Sequence, residues 1–271
     1  MSALTLRSSA HTPLRPGGRT PSATLLRVVA GVALLLVWEI GVRALAPAYV
    51  AKPSGVLAAL PAVVVLPEFL TATGQTLIAV AEGLAISLAF GTLLGLAMGR
   101  SRAVEHSVGL YVDGFYALPM VVVLPLVSLW FGYSSDARLA TIVFSAAFSI
   151  VLNVADGAKS VPREYLEVAR AFRSGRLRTM VDIVLPSAAP YLLAGLRLAA
   201  GRALIGAVIA EYFTAIGGLG TYILYQSRSY HHNEAFVGVF LLAAFGVGFE
   251  SLVNWSTRRL LPWYRRDEKT D

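Results

Sequence analysis

The stretch QTLIAVAEGLAISLAFGTLLGLAM, residues 75–98, holds a single ionisable side chain, Glu82. A helix needs about 20 apolar residues to cross the hydrocarbon of a bilayer, so this stretch predicts a spanning helix. Gly83, Ser87, Gly91, Gly95 and Gly99 recur every four positions. That period places them on one helix face, where small side chains let a neighbouring helix come close. The pattern leaves open whether the neighbour lies in the same chain or in a second copy.

Five further stretches predict spans: 24–45, 108–131, 139–155, 188–212 and 235–255. The fourth span in chain order, 139–155, is short and interrupted by polar residues. The reading is an all-α, polytopic membrane protein with about six transmembrane helices, its spanning domain covering 24–263. A tail at 1–23, rich in Ser, Thr, Pro, Gly and Arg, is expected to be disordered, and a second tail covers 264–271. The first apolar run is too long for a signal-peptide core and is read as a retained span. Of the 271 residues, 56% are hydrophobic and 14% charged, against about 25% charged in soluble domains. There is no Cys, which excludes disulfides, thiolate catalysis and Cys-ligated metal.

The net charge of +7 does not suggest nucleic acid, because the basic residues sit in short loops where they orient a membrane protein. Arg100, Arg102, Lys159, Arg163, Arg170, Arg173, Arg176, Arg178, Arg258 and Arg259 fall on the side of the termini. Only Arg43, Lys52, Arg138 and Arg228 fall on the other. The bias predicts both termini on the cytoplasmic side of the membrane. Pro119 and Pro125 interrupt the third span, either as a break lining a pathway or as a tolerated kink.

Charges inside spans are costly and usually functional or paired. Glu39, Asp113, Glu211 and Glu250 lie near predicted span ends and are expected to reach the interface. Arg197 and Arg202 lie deeper and are the candidates for the translocation path, with an internal ion pair, for example to Glu82, as the alternative. His231 and His232 lack metal-ligand spacing, and no metal is expected. The run Gly217-Gly218-Leu219-Gly220 is not followed by Lys, so there is no phosphate-binding loop. No catalytic residue, resident cofactor or ATP hydrolysis by this chain is expected.

The longest loop on the basic side reads VPREYLEVARAFRSGRLRTMVDIVLP, residues 161–186. Pro162, with Glu164 and Glu167 soon after, suits a helix start. Leu166, Ala169 and Phe172 fall at helical spacing, and Gly175 would end or bend the helix. Such a short amphipathic helix could lie on lipid or dock into a groove on a partner, and spacing does not decide between them. The stretch resembles the EAA loop of bacterial binding-protein-dependent ABC importer permeases: Glu-Ala-Ala, three residues, Gly, nine residues, Ile, one residue, Leu-Pro. Glu167, Val168 and Ala169 match its opening, and Ile183, Leu185 and Pro186 its close. Arg173 stands where the pattern has Gly, with Gly175 two positions on.

The resemblance extends over about 75–263. Ala117-Leu118-Pro119, Leu124-Pro125-Leu126 and Leu129-Trp130-Phe131-Gly132 look like the nitrate/sulfonate/taurine-type permeases. So do Gly195-Leu196-Arg197-Leu198-Ala199, Gly201-Arg202-Ala203, Ala210-Glu211-Tyr212-Phe213 and the 217–220 glycine run. The resemblance implies a permease of a bacterial plasma (inner) membrane, working as a pair with a second, identical copy and fed by an extracytoplasmic solute-binding protein. ATP would be bound and hydrolysed on cytoplasmic ATPase subunits, with Glu167, Val168, Ala169, Phe172, Arg173 and Gly175 in the coupling helix. The solute would be small, with nitrate, sulfonate and taurine among the candidates. A stand-alone secondary transporter is the alternative, but no repeat relates the halves and the loop would go unexplained. An intramembrane serine protease lacks its Gly-x-Ser-x-Gly elbow.

Overall fold

The computed structural model describes residues 23–47 and 49–261, so the tails at 1–23 and 264–271 lie outside the described residues except for Ala23, which opens the first helix. All regular structure among the described residues is helical. The chain divides into two units, 1–47 and 48–271. The first contributes α1 (Ala23–Leu45), in which Arg43 pairs with Glu39 one turn earlier, at 2.6 Å. The second holds α2 (Pro53–Val63), α3 (Pro67–Arg100), α4 (Arg102–Ala117), α5 (Met120–Phe131) and α6 (Ser135–Lys159). It continues with α7 (Arg163–Ala171), α8 (Arg176–Thr179), a π-helical turn at Met180–Val184, α9 (Leu185–Thr214), α10 (Leu219–Arg228) and α11 (His232–Leu260).

The small-residue face of α3 packs on α6 of the same chain. A Cβ on Gly91 would lie 2.7 Å from Ile150 Cβ, and one on Gly95 would lie 2.7 Å from the Val151 carbonyl oxygen. Lipid tails are as apolar as the helices, so close approach and dispersion contacts hold spans together where hydrophobic burial cannot. α9 completes the core, packing on α6 and α3. Gly195 and Gly206 sit against the backbone at Ile150 and Ile142, and Ala199, Ala203 and Ala207 join Ile142, Ile150 and Val154 in one buried cluster.

Among the described residues five helices are long and apolar enough to cross a membrane, and a bent pair brings the number to six where it counts as one span. The bent pair corrects the third span: 108–131 is not one helix but α4 and α5, meeting at 107°. Pro119 has no N–H to continue α4 and pushes Leu118 into extended backbone (φ −68°, ψ 129°). Pro125 sits inside α5 without ending it. The fourth span is longer than its apolar stretch, because Ser134 caps its start by accepting from Ala137 N–H and polar turns extend both ends. Pro186 lies in the first turn of α9, where a missing N–H costs no helical bond. The backbone runs from α8 through the π-turn into α9, and the wider turn falls just before the residue that lacks a donor.

Candidate functional site

α7 begins after Pro162 with Glu164 in its first turn. It is held to its own chain by Leu166 and Ala169, both buried. Leu166 packs with Ala158, Val161 and Val184, the last from the π-turn. Ala169, one of the residues that the resemblance places in the coupling helix, is only 6% exposed. The outward apolar stripe is Tyr165, Val168 and Phe172, which are 57%, 54% and 83% exposed. These fall at i, i+3 and i+7, the spacing of anchors that seat a helix in a groove. Sequence reading missed Tyr165, although this spacing was there to find it.

The end of α7 lies at Arg173, not at Gly175. Ser174 N–H donates to Ala169 O and Arg173 N–H to Arg170 O, each at 2.9 Å. This pair of bonds closes a helix with a left-handed residue, and Arg173 takes that conformation at φ 53°. Arginine therefore occupies the position where the loop pattern has glycine, in the geometry glycine suits. Gly175, at φ −63°, instead precedes α8. Arg173→Gly is expected to stabilise the end of α7 by about 1 kcal/mol, seen as slower amide exchange of Ser174. Faster exchange would contradict a strained Arg173.

At the far end of α9 the structure corrects Glu211, expected at the interface and found fully buried. Its Oε1 accepts from Thr76 Oγ1 at 2.8 Å and Arg138 Nη1 at 3.4 Å, and its Oε2 from Gly220 N–H at 2.8 Å. Thr76 Oγ1 in turn accepts Leu219 N–H at 2.8 Å, and Arg138 also donates to Gly217 O at 2.8 Å. A Cβ on Gly218 would overlap the Glu211 carboxylate, and one on Gly220 would lie 2.9 Å from Glu211 Cβ. The glycine run thus cradles a carboxylate of its own chain. The network joins α3, α6, α9 and α10.

Neither deep arginine meets Glu82, which is exposed on α3. Arg197, exposed, donates to Asn254 Oδ1 of α11. Arg202, half-buried, donates to Tyr116 O at 3.3 Å and lies 3.9 Å from the centre of the Tyr116 ring. It therefore sits beside the break between α4 and α5. His231 Nδ1 meets Gln226 Oε1 at 3.2 Å, while His232 lies against the Tyr49 ring, so the two histidines diverge.

Residues 87–266 match the family model described as binding-protein-dependent transport system inner membrane component. The chain is 30% identical over 234 residues to the formylaminopyrimidine transport permease protein of Halalkalibacterium halodurans, covering 86% of this chain and 93% of that one. It is 25% identical over 239 residues to the taurine transport system permease protein of Escherichia coli, covering 86% and 87%. A solved bacterial ABC transporter involved in importing the acidic polysaccharide alginate shares the fold at TM-score 0.63 and 15% identity, over 88% of this chain and 94% of that one. With its apolar spans and these relatives, the chain belongs to the family of inner-membrane components of binding-protein-dependent transport systems, as a transmembrane permease component of an ABC importer.

Proposed function

We propose that α7 is the coupling helix, docking Tyr165, Val168 and Phe172 into a groove on a cytoplasmic ATPase subunit where ATP is bound and hydrolysed. The observation that carries this reading is the stripe itself: exposed Tyr165 and Val168 on a nine-residue helix and exposed Phe172 at its C-cap, while Leu166 and Ala169 are already buried inside the chain. Such a stripe in water favours a partner's groove. Glu167, Arg173 and Gly175 then shape and flank the docked helix. Ala169 supports it from behind. In this reading both termini are cytoplasmic, a second permease copy completes the pathway, and an extracytoplasmic binding protein delivers the solute. Arg202, beside the helix break, and Arg197 line the path and favour an anionic solute. A stand-alone secondary transporter would leave the stripe of α7 without a role.

The docking is tested by a cysteine at Phe172, which should crosslink to the ATPase subunit in the assembled complex. Phe172→Asp should weaken the association roughly 30-fold, as loss of a central aromatic anchor does, and lower uptake while the chain stays inserted. Normal uptake in Phe172→Asp without a crosslink would refute the docking.

A further inference from the structure

A cavity of about 430 Å³ opens in the crease between α7 and the ends of three membrane helices. Arg100 ends α3, Arg102 opens α4 and Lys159 ends α6, and α7 adds Arg163, Arg170 and the single lining carboxylate, Glu167. Lys159 is paired with Glu105 at 2.7 Å, and Arg100 reaches only a carbonyl, Ala158 O, at 3.4 Å. Among the described residues Arg102, Arg163 and Arg170 form no ion pair within 4.0 Å, with Glu105 near Arg102 along α4. Val161 and Leu166, both mostly buried in the chain's own core, complete the lining. Charges that merely orient loops explain the sign of these residues. They do not explain why five cations from four helices line one cavity around so few acids.

The apolar spans α3 and α6 end at Arg100 and Lys159, so the cavity opens where two membrane helices end. Basic pockets between span ends hold anionic headgroups, and a cavity at the ends of membrane helices is where such lipids are at hand. We propose that this cavity binds the phosphate of an anionic phospholipid. The inference does not depend on the docking of α7, because it rests on the inner lining rather than on the outward stripe.

The test is native mass spectrometry of the purified full chain in micelles doped with phosphatidylglycerol or with phosphatidylcholine of the same acyl chains. Wild type should retain phosphatidylglycerol in preference to phosphatidylcholine, even against a molar excess of inorganic phosphate. Arg100→Gln with Arg102→Gln should weaken phosphatidylglycerol roughly 25-fold, at roughly fivefold per cation near an anionic surface, and leave phosphatidylcholine unchanged. Both residues lie outside α7, and circular dichroism should show the double variant as helical as wild type. Equal retention of the two lipids, or no loss in a double variant that is as helical as wild type, would overturn the proposal. So would displacement of phosphatidylglycerol by inorganic phosphate, which makes the site one for free anions. Complete displacement by an added ATPase subunit would also overturn it, by making the cavity part of the partner's seat.

Discussion

Glu211→Ala is expected to cost about 3–5 kcal/mol of stability, the usual penalty for removing one partner of a buried ion pair. The side chain of Glu211 is fully buried and that of Arg138 is 12% exposed, so neither water nor salt substitutes for the lost contact. The alanine leaves the Arg138 guanidinium, Gly220 N–H and Thr76 hydroxyl short of an acceptor at once. A large drop in melting temperature and early aggregation on detergent size exclusion should follow. Glu211→Gln keeps the shape and one acceptor oxygen but turns an amide group toward donors, so its loss should be smaller. Adding Arg138→Ala to Glu211→Ala should restore part of the stability, because no charge is then orphaned. A melting temperature for Glu211→Ala equal to that of wild type would show that the network does not hold these helices together.

The spans were legible because bilayer-crossing helices announce themselves by length and composition. The face of α3 was legible because glycine every fourth residue has few uses other than close packing. Glu211 was not, because what buries it is Thr76 and Arg138, 135 and 73 residues away. A carboxylate near a span end looks interfacial until those partners are placed. The break in the third span was half legible. Pro119 and Pro125 remove a donor equally, and the packing around them decides which one ends a helix. Arg173 was opaque in another way: its left-handed backbone follows from the closing bonds of α7, and a non-glycine side chain hides that geometry from the sequence.

α7 posed the hardest reading, because it carries two apolar stripes. Leu166 and Ala169 fall at one helical spacing and Tyr165, Val168 and Phe172 at another, and no periodicity tells which faces the chain and which faces outward. The structure seats the first pair inside, and this changes what Ala169→Asp should do. The carboxylate would enter an interior formed with the chain's own span ends, where an unpaired charge costs on the order of 3 kcal/mol or more. α7 should detach from its seat, with fast amide exchange along 163–171 and a lower melting temperature in the isolated permease, before any partner is added. Uptake should fall as a consequence. Phe172→Asp should instead leave the isolated permease as stable as wild type, because Phe172 is 83% exposed, and fail only on assembly. The pair thus separates support from docking: one variant is defective alone, the other only in company. If Ala169→Asp leaves exchange and melting unchanged while abolishing the association, Ala169 faces the partner after all and the seating of α7 is wrong.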